Sequence, residues 1–245
     1  MSIFENFWLD EKQRMQLSIL RDLLINIFKA SKGNSIVFKG GTALSFFYRS
    51  DRFSEDLDFS VYSVEAYLTI DNAIELIAAK SRYEIVNDWE SEIESNEKFR
   101  RYLLRFNYSV EESINTHIDC SVEKVILEPE QFMLSNDYDV AKILVMKKEE
   151  ILAEKVRAIY TRHKGRDLYD LYFLAIILRT PISINLIYEK FKSYHIATKF
   201  SSKSFAAKVE ELRPYWNDLK GIVNNFDALN FDSIKNNLID AFKNI

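Results

Sequence analysis

One cysteine, three prolines and five glycines in 245 residues are few, and each scarcity rules something out. The lone thiol, Cys120, excludes an internal disulfide, and its flanks alternate in polarity, which marks it as a small core residue and not a nucleophile. No run approaches the ~20 uninterrupted apolar residues of a membrane span, and the best candidate, residues 171–178, is far too short. The opening Met1-Ser2-Ile3-Phe4-Glu5 has neither the basic start nor the apolar stretch of a secretory signal, so a cytoplasmic location is expected. Excess positive charge is missing too. The formal net charge of −4 argues against a surface coated for unspecific nucleic-acid binding. There is no internal repeat and no low-complexity tract.

What is present is enough for a full core: 47% of residues are hydrophobic and 14% aromatic. Residues 7–30 place Leu17, Leu20, Leu24, Ile27 and Phe28 at helical spacing and predict an amphipathic helix that Ser31-Lys32-Gly33-Asn34 ends. Residues 35–39 are a short β-rich run stopped by Gly40-Gly41, and residues 42–48 resume helical spacing. Residues 56–61 alternate polar and apolar, as a strand with one inward face does. A helix over 65–81 and strands over 83–87, 102–108 and 115–122 complete this half. Strand signals fade after Ala141. From Glu149 onward helical patterns are separated by Lys164-Gly165, Thr180-Pro181, Ser201-Ser202 and Asn224-Asn225. The expected plan is an α/β (α+β) domain over residues 1–145, with a small mixed sheet flanked by helices, then an all-helical domain over 146–245.

Asp56 and Asp58 lie two apart on a predicted strand, so both carboxylates leave the same face. Carboxylates that close repel unless a cation or proton lies between them, and hard oxygen ligands suit Mg²⁺. Two solvated aspartates on an edge strand would read the same way. Upstream, Gly40-Gly41-Thr42 sits between strand and helix. Paired glycines admit a phosphate close to the backbone, the helix N-terminus offers N–H groups, and Thr42 adds a hydroxyl. No Gly-Lys-Ser/Thr follows as a P-loop requires; Lys39 precedes the glycines instead.

Charge is also unevenly spread. Residues 142–166 hold eight Lys or Arg against three Glu, a cation cluster suited to polyphosphate or RNA, or else a solvated helix face. Asp119 shares a predicted strand face with His117, which permits a metal site of a different kind. Gly165 could close one helix in a left-handed turn, with Asp167 then capping the next. His163 and His195 read as surface residues.

The string 38–44, Phe-Lys-Gly-Gly-Thr-Ala-Leu, followed by 52–59, Arg-Phe-Ser-Glu-Asp-Leu-Asp-Phe, resembles the first motif of the AbiEii/AbiGii toxin family. That family lies within the DNA polymerase β-like nucleotidyltransferase superfamily. Residues 153–158, Ala-Glu-Lys-Val-Arg-Ala, and 162–171, with Arg166-Asp167 at their centre, are similar to its downstream lysine and Arg-Asp motifs. The resemblance implies a polymerase β-like core and transfer of a nucleoside monophosphate from an NTP to an acceptor. It implies that Lys39, Gly40, Gly41, Thr42, Ser54 and Arg166 serve the nucleotide, and that Asp56 and Asp58 hold Mg²⁺, with Asp119 as a further candidate. Lys155 would neutralise phosphate charge, and Asp167 would orient that lysine or assist the acceptor. The family points to a toxin of a toxin–antitoxin or phage-defence pair acting on RNA, with the tRNA 3′ end as the expected acceptor and a cognate antitoxin as partner. A metal-dependent nuclease or phosphohydrolase on Asp56, Asp58 and Asp119, a transferase acting on a protein or small molecule, and a binding module without turnover stand as alternatives.

Overall fold

The computed structural model describes residues 8–31, 35–63, 66–80, 98–107, 113–243 and 245. By its internal contacts the chain divides into two compact units, Met1–Arg49 with Phe53–Met146 and Ser50–Arg52 with Lys147–Ile245.

The first unit opens with α1 (Glu11–Ala30), four residues later than residue 7, because Asp10 caps it. The Asp10 carboxylate accepts from the Gln13 backbone N–H at 2.7 Å and the Gln13 side chain accepts from the Asp10 N–H, which satisfies two donors otherwise left open at a helix start. The helix buries Leu17, Leu20, Leu24, Ile27 and Phe28, the predicted stripe. Strand β1 (Ile36–Lys39) leads directly into α2 (Gly40–Tyr48), so the paired glycines are the first residues of the helix and not a turn before it. Then follow β2 (Leu57–Val61), α3 (Ala66–Lys80), β3 (Phe99–Asn107), β4 (Ser113–Val122), β5 (Glu130–Ser135) and β6 (Val140–Val145). Among the described residues six strands form one mixed sheet in the order β3-β4-β2-β1-β6-β5. Strand β1 runs antiparallel to β2 and parallel to β6, and β2 runs parallel to β4.

Register sorts the two faces. Phe38, Phe59 and Cys120 stand opposite one another across β1, β2 and β4, and Phe59 meets Phe28 of α1. Helix α1 packs against α3 and β6. This is the apolar face, and Cys120 is a buried core residue there, as its flanks predict. The opposite face carries Lys39, Asp58, Asp119 and Arg101, one on each of β1, β2, β4 and β3, in direct register.

Two strands escaped sequence reading. The inner half of β6 is buried on both faces beside β1, so alternation is lost, and β5 is an edge strand whose exposed Met133 breaks the pattern. The strand expected over 83–87 lies outside the described residues.

In the second unit α4 (Lys148–Thr161), α5 (Gly165–Tyr172), α6 (Ile184–Ser193), α7 (Ser202–Glu210) and α8 (Phe231–Ala241) follow one another, with a π-helical turn at Phe173–Ile177 and 3₁₀ turns at Arg213–Leu219 and Phe226–Ala228. Breaks fall at the predicted punctuation: Ser201 caps α7 in a capping box, and Asn225 takes a left-handed conformation. Gly165 differs from expectation. It is the first residue of α5, without positive φ, and a Cβ there would stand 2.2 Å from the Tyr215 carbonyl oxygen, so its requirement is close approach. Among the described residues no helix is long and apolar enough to cross a membrane.

Candidate active site

Gly40 adopts φ +80, a conformation that L side chains rarely accept. A Cβ on it would lie 2.1 Å from Asp58 Oδ2. The start of α2 and the Asp58 carboxylate therefore form one continuous surface. Helix α2 has no side-chain cap, which leaves its backbone N–H groups and positive dipole end uncompensated from within the helix. Thr42 is buried and its hydroxyl donates to the Asp56 carbonyl oxygen. The hydroxyl of Thr116, on β4, donates to the adjacent Glu55 carbonyl. Two threonines on different elements thus hold consecutive peptide groups of the segment that carries Ser54 and Asp56.

Asp56 lies one residue before β2 and opposite His117. Its Oδ1 accepts from the His117 backbone N–H at 3.4 Å and lies 3.1 Å from His117 Nδ1. Asp119 stands beside Asp58 in register, and Arg101 on the edge strand β3 donates to both Asp119 oxygens, at 2.8 and 2.7 Å. Lys39 is buried and pairs with Glu123 and with the Ser121 hydroxyl at 3.2 Å, so it stabilises the sheet beneath the glycines. Ser54 is buried two residues before Asp56.

Asp56 and Asp58 fit a hard divalent cation: both are partly exposed carboxylates, two apart in sequence, and Asp58 lies against the backbone of Gly40. Asp119 stands next to Asp58 in register, and among the described residues no three His, Cys, Asp or Glu side chains come together as a metal cluster.

The second unit holds its own charge network. Asp167 and Asp170, one turn apart on α5, are both wholly buried. Lys155 of α4 reaches Asp167 at 3.1 Å and Asp170 at 2.7 Å. Arg162 grips both oxygens of Asp167 at 2.7 and 2.8 Å, and Arg52 grips both of Asp170 at 2.7 and 3.0 Å. Burial alone would push both carboxyls up; Lys155 and Arg162 outweigh it at Asp167, and Arg52 and Lys155 at Asp170, holding both below the ordinary carboxylate range. Lys155 thus bridges the two carboxylates, and an arginine grips each of them from another side. Asp167 is therefore not a helix cap: Lys164 occupies that position, with no side-chain bond to the helix. Arg166 is half-buried on α5. His163 and His195 are surface residues, as expected.

Sequence reasoning passed over Arg52, Asp170, Arg162 and Arg101 as partners, and Thr116. The triplet spacing of Asp167 and Asp170 was the available signal, since it puts both on one helix face.

An α2 start beside Asp58 on a mixed sheet, and a helical unit with a lysine held by aspartates, are the arrangement that the resemblance to a nucleotidyltransferase implies. A model of the family described as nucleotidyl transferase AbiEii toxin, type IV toxin–antitoxin system, matches residues 22–237. The chain belongs to this AbiEii family of nucleotidyltransferase toxins. Among solved structures it is similar to JHP933 from Helicobacter pylori, with a TM-score of 0.64 and 23% identity over 95% of this chain and 91% of that one. It is also similar to MenT4, a nucleotidyltransferase toxin from Mycobacterium tuberculosis, with a TM-score of 0.59 and 17% identity over 94% and 93%. At these identities the likeness is one of fold. No protein with a curated function matches the chain.

Proposed function

We propose that the chain transfers a nucleoside monophosphate from an NTP to an RNA acceptor, the 3′ end of tRNA, in a Mg²⁺-dependent reaction in the cytoplasm, under control of a cognate antitoxin. The first unit serves as the nucleotidyltransferase core, and the second carries the lysine and Arg-Asp motifs. The observation that carries this reading is Gly40 against Asp58: a phosphate approaching the start of α2 would meet the Asp58 carboxylate where a glycine leaves the backbone bare. A nuclease has no need of such a surface for a free triphosphate, which favours transfer over hydrolysis.

Asp56 and Asp58 would hold Mg²⁺, and backbone groups of Gly40, Gly41 and Thr42 would receive phosphate oxygens. When bound, Mg²⁺ supplies neutralisation of the triphosphate and of charge developing on the departing pyrophosphate. Thr42 and Thr116 fix the backbone carrying Asp56 before substrate arrives, so little reorganisation is left for the reaction. Lys155 spends two of its three N–H donors on Asp167 and Asp170, and the third is the one a phosphate oxygen would take. Of the two roles open to Asp167, orienting the lysine fits better than accepting a proton, since Arg162 and Lys155 hold it ionised.

The test is incubation of the purified chain with each labelled NTP, Mg²⁺ and total RNA. Label entering RNA is the expected result, abolished by Asp56→Ala and by Lys155→Ala. Shortened RNA without label would replace this reading with a nuclease, and label entering protein or a small molecule would move the acceptor.

A further inference from the structure

Four charged side chains cross the polar face in one row: Lys39 on β1, Asp58 on β2, Asp119 on β4 and Arg101 on β3. A transferase that clamps its reaction between two metal ions needs carboxylates to bridge or divide them, and Asp119 is the one nearest in register to Asp58. Its surroundings are those of an ion pair. Both oxygens accept a guanidinium N–H, at 2.8 and 2.7 Å, in the fork geometry in which arginine holds a carboxylate.

The pair is set by the sheet itself, because Arg101 and Asp119 are directly opposite on antiparallel strands. Arg101 also feels the negative charge of Asp56 and Asp58 beyond that of Asp119. A dication approaching Asp119 would meet a carboxylate already compensated and a fixed positive charge beside it. The neighbour that reaches the aspartates is His117, whose Nδ1 lies 3.1 Å from Asp56 Oδ1, and among the described residues no group of three His, Cys, Asp or Glu side chains is arranged to hold a metal.

We infer that this is a one-ion site, in which Arg101 takes the place of a second metal and keeps Asp119 out of the coordination sphere. The inference rests on the reading of Asp56 and Asp58 as cation ligands. Its consequence is that positive charge on the Asp119 side comes from a side chain, present before any substrate binds and independent of divalent concentration. Arg101 is thus a positioning residue, acting through Asp119.

Mn²⁺ binding to the full-length chain, counted by electron paramagnetic resonance with a non-hydrolysable NTP analogue present, tests it. One Mn²⁺ per chain is expected for the unaltered protein and for Asp119→Asn, since Asp119 is not a ligand. Arg101→Gln, at a half-exposed position, is expected to release Asp119 and admit a second Mn²⁺; Arg101→Lys is expected to restore one. Two Mn²⁺ in the unaltered chain, loss of Mn²⁺ in Asp119→Asn, or a count of one in Arg101→Gln would each overturn the inference. No Mn²⁺ at all would instead bring down the assignment of Asp56 and Asp58, and the inference with it.

Discussion

A carboxylate removed from water keeps its charge only where partners replace its hydration, and Asp170 has two, Arg52 and Lys155. Asp170→Asn leaves the shape and takes away the charge both cations rely on. The expected cost is about 3–5 kcal/mol, read as a fall in the urea midpoint. Gly40→Ala acts by another route. Its left-handed backbone costs about 1–2 kcal/mol with a Cβ present, and the new methyl would have to displace the Asp58 carboxylate. Turnover should fall about 10²-fold, the loss expected of a displacement near 1 Å at a reacting centre, while circular dichroism stays that of a folded chain. The aspartate pair and the glycines could be read from sequence because their spacing is local: two residues along a strand, one step into a helix. Arg101 with Asp119 and Arg52 with Asp170 could not, since each depends on a register or a packing between segments 18 and 118 residues apart.

Helices with strong stripes and punctuation were legible, among them α1, α2 and the helical second half, and so were the alternating strands β2 and β4. Strand β6 was not, since burial on both faces erases the two-residue period, and β5 alternates in burial but puts the apolar Met133 on its exposed side, which hides the period in the sequence. The elements also divide in what they do for the site. Asp10→Ala removes the α1 cap at a cost of about 1 kcal/mol, yet α1 covers the apolar face, so nucleotide incorporation per folded molecule should be unchanged. Thr116→Val on β4 costs a similar amount, about 1 kcal/mol for one hydrogen bond, but frees the Glu55 peptide beside Asp56. Incorporation should therefore fall well below that of Asp10→Ala at equal stability, and equal rates in the two variants would refute the role assigned to Thr116.

At the scale of the whole chain, acid should reveal the buried aspartates. Asp167 and Asp170 have folded-state values held below those of the unfolded chain. Their stabilisation is complete above the unfolded value of about 3.9 and is lost as pH falls from there through the depressed folded values. Urea midpoints measured from pH 6 down to pH 2.5 should drop below about pH 4, and less steeply in Asp170→Asn, which has one such group fewer. The left-handed glycine at the start of α2 has a genetic consequence as well. Every amino-acid replacement of Gly40 adds a Cβ, so no missense change at that codon is neutral toward Asp58. Cells selected to survive overexpression of this toxin-family chain should carry changes at codon 40 more often than at Gly221, which is also left-handed but where a Cβ would meet open space.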